Sequence, residues 1–196
     1  MSLESNKTLG GIGAILVAIG YITFFTGYGA ILGIVGIILV LVAMKGLAEY
    51  YDEQAIFDNA LYGFIFGIIG IISLIAIIVL SVFTGLSMTM MMSPQAMLGA
   101  FVGWLILGFI MFVAFIILQA VFYRKAFSML SSKSDEKMFD TGGLLLLIGA
   151  ILTIIVIGVV IILIAWILIA VGFFSIKISV TQQQEAQPPP PPPPPS

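Results

Sequence analysis

Cysteine and histidine are absent from all 196 residues, and only seven Lys or Arg and nine Asp or Glu are present. Without cysteine there can be no disulfide, and the redox compartment leaves no mark on the chain. Without histidine the commonest transition-metal ligand and general base is missing. A net charge of −2 is too small to draw a nucleic acid. No catalytic residues, cofactor motif or metal-ligand set stands out, so the chain reads as a non-enzyme with no cofactor.

What is abundant is apolar surface. Hydrophobic residues make up 61% of the chain and charged residues 8%, against about 25% charged in a soluble domain. The charges fall into four patches, Glu4 to Lys7, Lys45 to Asp58, Arg124 to Asp140 and Lys177 to Glu185. Between them lie uncharged blocks from Leu9 to Met44, Asn59 to Tyr123 and Thr141 to Ile176, of 36, 65 and 36 residues. A single helix over the shorter blocks would be about 54 Å long, almost twice the ~30 Å hydrocarbon core. Each block therefore reads as two crossings.

The first block can turn at Thr26-Gly27-Tyr28-Gly29, where glycine accepts the positive φ of a tight turn. The second breaks between Thr84 and Gln95, with Ser93 as an N-cap and Pro94 in the first helical position. The third offers only Gly158 for its bend. The expected spans are 9–25, 29–46, 59–83, 96–123, 141–157 and 159–176. This is an all-α membrane protein of six transmembrane helices in three helical hairpins, multi-pass in the cell membrane. The hairpins put every Lys and Arg on one side, so the positive-inside rule makes both termini cytoplasmic. Glu4 beside Lys7 argues for a retained first helix, not a cleaved signal.

The equal outer blocks invite a search for a repeat. One alignment pairs Gly10-Gly11 with Gly142-Gly143 and Lys45 with Lys177; another pairs Ile12-Gly13-Ala14-Ile15-Leu16 with Ile148-Gly149-Ala150-Ile151-Leu152. In so apolar an alphabet neither stands clear of coincidence.

Several stretches carry a resemblance. Lys7-Thr8-Leu9-Gly10-Gly11-Ile12-Gly13, Ile56-Phe57-Asp58-Asn59-Ala60 and Gly149-Ala150-Ile151-Leu152, with Ile164-Ala165-Trp166-Ile167-Leu168 and Phe173-Phe174-Ser175-Ile176-Lys177, resemble an archaeal family of integral membrane proteins, domain of unknown function 996. The likeness runs from Lys7 to Lys177. It implies membrane helices and no particular activity, because the family has no assigned site residues.

The candidates for chemistry are few. Intramembrane charges mark proton relays and ion pumps, but the expected spans hold only Thr23, Ser73, Ser81, Gln119, Thr153 and Trp166 as polar features. Gly29/Gly33, Gly63/Gly67 and Gly99/Gly103 have the spacing of close helix contacts, at no more than the frequency that 21 glycines produce by chance. The loop from Lys45 to Asp58 holds Glu49, Asp52, Glu53 and Asp58; on a helix the first three would share one face and could hold Mg²⁺ or Ca²⁺. A short solvated surface helix is favoured, anchored by Leu47, Tyr50, Ile56 and Phe57, with Asp58 capping the next span. Met88, Met90, Met91 and Met92 could offer thioethers to Cu(I), though methionine also suits a flexible apolar loop. Arg124 to Asp140, with Phe127, Met129, Leu130, Met138 and Phe139, reads as an interfacial helix touching anionic headgroups.

The tail, residues 178–196, is expected to be a disordered Gln/Pro-rich cytoplasmic segment. Its Pro188, Pro189, Pro190, Pro191, Pro192, Pro193, Pro194 and Pro195 would form a polyproline II rod about 25 Å long. Such a rod suits a cytoplasmic polyproline-binding protein, and it suits equally a plain solvated spacer. The leading expectation is a non-enzymatic protein that acts by helix association in the lipid bilayer, with the tail offered to that partner. The rival is a passive carrier or channel for a small uncharged or amphiphilic solute. Oligomeric state is not readable.

Overall fold

Local signals set where each helix starts and turns. The computed structural model describes residues 2–23, 26–88, 93–155 and 157–177. Ser2 caps the first helix by accepting from the Ser5 N–H at 3.3 Å, and α1 runs Leu3–Ile22. Gly27, at φ 80°, opens α2, Tyr28–Tyr50. Asp52 and Asp135 hold left-handed φ values of 52° and 55°, a conformation aspartate tolerates better than most residues. Each sits in a link only a few residues long, before α3, Gln54–Met88, and α5, Lys137–Leu152, respectively. Ser93 accepts from Ala96 N–H and Pro94 leads α4, Pro94–Ser134, as the Ser-Pro step predicts. A 3₁₀ turn, Thr153–Ile155, precedes α6, Ile157–Ser175.

All six helices are long and apolar enough to cross a membrane, and the described residues contain no strand. The helices overrun the uncharged stretches. α2 continues past Lys45 to Tyr50, and α4 continues past Arg124 to Ser134. The bend of the last block lies at Thr153–Ile155, ahead of the expected Gly158. Gly158 instead forms a helix contact.

Neighbours in sequence are neighbours in space: α1 packs on α2, α3 on α4 and α5 on α6. α2 also meets α3, α4 meets α5, and α6 returns to α1, which closes the circuit. Closure rests on Gly10 and Gly11, where a Cβ would enter the rings of Phe173 and Phe174. The Lys7 ammonium also donates to the Ile176 carbonyl just past the end of α6, where the helix dipole favours a cation.

The α1–α2 and α5–α6 pairs share one seam. A Cβ on Gly13 would lie 2.7 Å from Gly36 O and 2.8 Å from Val40 N, and one on Gly20 would lie 2.8 Å from Gly29 O and Gly33 N. Likewise a Cβ on Gly142 would meet Ala165 O at 3.2 Å and Ile169 N at 3.4 Å, and one on Gly149 would meet Gly158 O at 3.0 Å and Ile162 N at 3.1 Å. Every residue of the second set lies 129 positions after its counterpart in the first, as Gly13 and Gly142 or Gly29 and Gly158 illustrate. Burial follows the same register: Val17 and Leu146, Val40 and Ile169, Met44 and Phe173, and Leu47 and Ile176 are all buried. Both alignments suggested by the sequence are therefore displaced, by three and by seven residues, from the register in which the two pairs pack alike.

The core lies at one end. All six helices contribute to it, but α3 gives only Ile56 and Ala60, and α4 only Tyr123 to Leu130. Beyond these, α3 and α4 pack mainly on each other through Gly70 against Phe115 and Gly108 against Ile77. The Arg124 Cα sits beside Gly143. From that level α4 continues about 45 Å to Pro94 and α5 only about 15 Å to Thr153, at 1.5 Å per residue. The α3–α4 pair thus extends about 30 Å past its neighbours, with Ile72, Val79, Phe83, Leu98 and Ile106 all exposed.

Because the seam brings backbone against backbone, Gly13→Val and Gly149→Val should each destabilise the protein by about 1–3 kcal/mol. Gly103→Val, at a position with open space, should leave thermal unfolding of the purified protein in detergent unchanged. Equal losses in all three would refute the seam's role.

Candidate functional site

The sequence candidates separate in space. Pro188 to Pro195 and Met90 to Met92 lie outside the described residues. Glu49 is in the last turn of α2, Asp52 and Glu53 are in the link, and Asp58 is inside α3. The expected surface helix is replaced by a tight turn, so Asp58 caps nothing. Leu47 and Ile56, taken as surface anchors, are fully buried. Among the described residues no three acidic, His or Cys side chains converge as a metal site would need. Glu53 Oε2 instead meets Lys133 Nζ at 3.0 Å, tying the α2–α3 link to the end of α4.

The expected interfacial helix from Arg124 is also corrected. Three of its five apolar residues turn into the protein, because α4 continues unbroken and α5 folds back beside it, while Met129 is half-buried and Met138 exposed. Phe127, Leu130 and Phe139 are fully buried. Phe127 and Phe139 stack with centroids 6.1 Å apart and rings 2° from parallel. Phe139 meets Phe173 edge-on at 5.0 Å, and Trp166 stands edge-on to both Tyr123 and Phe127. This cluster joins α4, α5 and α6 beneath the charged links. Nearby, burial pushes the Tyr51 hydroxyl up to about 12, with Tyr50 adding to the rise. Tyr51 therefore stays neutral across physiological pH.

Of the hydroxyls expected in the spans, three are bonded within their own helices, while Ser73 in α3 makes no side-chain hydrogen bond among the described residues. Thr23 donates to Ile19 O, Ser81 to Ile78 O and Thr153 to Gly149 O, as short side chains in apolar helices commonly do. The Gln119 amide lies against Gly67. Of the three four-spaced glycine pairs, Gly63 and Gly67 sit at a helix contact and the backbones of Gly29 and Gly33 lie against Gly20, while a Cβ on Gly33, Gly99 or Gly103 would meet nothing within 4 Å.

Two features escaped the sequence reading. One is the seven-residue glycine spacing, Gly13/Gly20, Gly29/Gly36 and Gly142/Gly149, which keeps glycine on one helix face over two turns. That spacing was legible in principle. The other is Asn6, between Glu4 and Lys7 in the first charged patch but fully buried against Gly46, its amide without a hydrogen-bond partner among the described residues. Nothing in its local sequence distinguishes it.

The profile of a family described as proteins of unknown function (DUF996) matches residues 32–167. An uncharacterized protein of Methanocaldococcus jannaschii is 30% identical over 176 residues, covering 90% of this chain and 94% of the relative. No solved structure matches.

The aromatic cluster and the ion pair differ in weight. Phe127→Ala should cost about 3–5 kcal/mol, as large-to-small changes in packed cores do. Lys133→Ala should cost at most about 1 kcal/mol, since the pair is partly exposed. Comparing both variants by chemical denaturation in mixed micelles checks the order, and a reversal would move the structural weight to the links.

Proposed function

The chain belongs to the DUF996 family of proteins of unknown function, and we propose that it is a multi-pass membrane protein that works by association, without catalysis. In this reading the helices form three hairpins entering from the cytoplasmic side, and both termini stay cytoplasmic. The proline tail is then available to a cytoplasmic polyproline-binding partner.

The observation that carries the proposal is the long apolar surface of α3 and α4 beyond the shared core. A hairpin built for its own fold would bury more of itself against its neighbours. This one presents large aliphatic and aromatic side chains to whatever surrounds it, lipid or other helices. Thr23, Ser81 and Thr153 already spend their hydroxyls on their own helices and make a poor lining for a polar pathway, which places passive solute transport second.

The bilayer must adapt to helices of two lengths. The uncharged part of α3 from Asn59 to Met88 is about 44 Å long, and that of α5 with its 3₁₀ turn, from Thr141 to Ile155, about 21 Å, around a ~30 Å hydrocarbon core. Tilt accommodates the first and local thinning the second, at fractions of a kcal/mol per Å.

Single cysteines introduced into this cysteine-free chain test the arrangement. Residues 26 and 93 should label from outside, and residues 2 and 177 only after permeabilisation. Labelling at 93 with protection at 26 would make the first hairpin re-entrant, and outside labelling at 177 would overturn the topology.

Affinity purification tests the tail: partners recovered with the full chain should be lost on truncation after Thr181. A partner that survives truncation would remove the tail's role.

A further inference from the structure

From Pro94 onward α4 carries no charge until Arg124 and Lys125. These two cations stand where the apolar helix meets the charged links, and they stand at a groove. Arg124, Lys125, Ser128 and Met129 of α4, Asn59 of α3 and Leu147 of α5 line a surface cleft of about 440 Å³. On α4 these positions follow the three-to-four spacing of one helix face.

Neither cation has an ion-pair partner among the described residues. The ion pair among the described residues joins Lys133 to Glu53, and the carboxylates on the flanking helices, Asp58 and Asp140, pair with neither Arg124 nor Lys125. Lys125 Nζ is 5.4 Å from the centroid of the Phe122 ring. That ring is itself stacked on Phe66 at 5.3 Å, so the ammonium is held beside the α3–α4 contact. Asn59 spends its amide N–H on Ala55 O at 2.7 Å and touches the Met129 sulfur at 3.8 Å, which fixes the groove's α3 wall. The Ser128 hydroxyl makes no hydrogen bond among the described residues.

Arg124, Lys125 and Ser128 are exposed at the rim of the groove, and each cation at a membrane surface adds about 1 kcal/mol of attraction for an anionic headgroup. Guanidinium offers a planar fork that matches phosphate oxygens, and ammonium adds a second point charge. Leu147 and Met129 give the groove an apolar wall that a free inorganic anion would leave unused.

We propose that this groove binds an anionic membrane lipid. Its phosphate contacts Arg124 and Lys125, Ser128 donates a hydroxyl hydrogen bond, and the acyl chain lies along Leu147 and Met129. The site differs from a general attraction between cytoplasmic cations and headgroups, because it depends on two named residues out of seven.

The test titrates phosphatidylglycerol, with phosphatidylcholine as the neutral comparison, into the delipidated full chain in neutral detergent, read by native mass spectrometry. Phosphatidylglycerol should bind more tightly. Arg124→Gln with Lys125→Gln should weaken it about fivefold for each cation removed, leaving phosphatidylcholine unchanged. Lys133→Gln with Lys137→Gln, an equal change of charge elsewhere, should have no effect.

An unchanged affinity in the first double variant, or an equal loss in the second, overturns the site. The charge-keeping variant Arg124→Lys with Lys125→Arg should retain most of the preference. If it falls as far as the neutral variant, the loss reflects disturbed packing and the proposal fails. Inorganic phosphate binding the delipidated protein and displacing the lipid at equal concentration would overturn the assignment to lipid.

Discussion

The structure depends on backbone meeting backbone at glycine. Lipid tails are as apolar as the helix surfaces they touch, so burying leucine against leucine gains little inside a bilayer, and association must come from close packing. Gly13 against Gly36 and Gly149 against Gly158 bring helix backbones into direct contact. There many weak dispersion contacts add up. Valine at either seam would push the helices apart along their length. The two outer pairs then present equivalent faces to the rest of the molecule, and Phe173 can reach both Gly10 on α1 and Phe139 on α5.

That packing concentrates order at one end. The aromatic cluster of Tyr123, Phe127, Phe139, Trp166 and Phe173, the Lys7 contact with Ile176 and the Glu53–Lys133 pair all lie at or near the charged links. At the other end α3 and α4 leave the bundle as a pair. A water-soluble protein could not leave so many isoleucines exposed; within a bilayer the same surface costs nothing. The molecule therefore has a tightly joined base with Arg124 and Lys125 at its edge, and a projecting apolar pair. Its proposed associations follow from that division.

Much of this was legible beforehand, for identifiable reasons. Composition and the length of uncharged runs are global quantities, so six membrane-type helices could be read without knowing any contact. Ser93-Pro94 and Gly27 mark helix starts because capping and positive φ are local properties. The bend of the last block was misplaced because Gly158 resembles a turn glycine and is used as a contact glycine. Arg124 to Asp140 was misjudged because an amphipathic stretch next to a membrane has the same pattern whether its apolar face meets lipid or other helices. The repeat register could not be found in letters alone, since Ile, Leu, Val and Gly match almost anywhere.

The amino-acid sequence by itself determined the helices, their approximate ends and the grouping of charge on alternate links, because each depends on hydropathy and local backbone preference. Only the tertiary structure decided which glycines touch and that Asn6, Phe127 and Phe139 are buried. It alone set α3 and α4 apart from the common core and left Arg124 and Lys125 side by side at a groove with no carboxylate partner among the described residues. In an apolar helix every face looks alike in sequence, and its neighbours are chosen by shape complementarity, which exists only once the helices are packed.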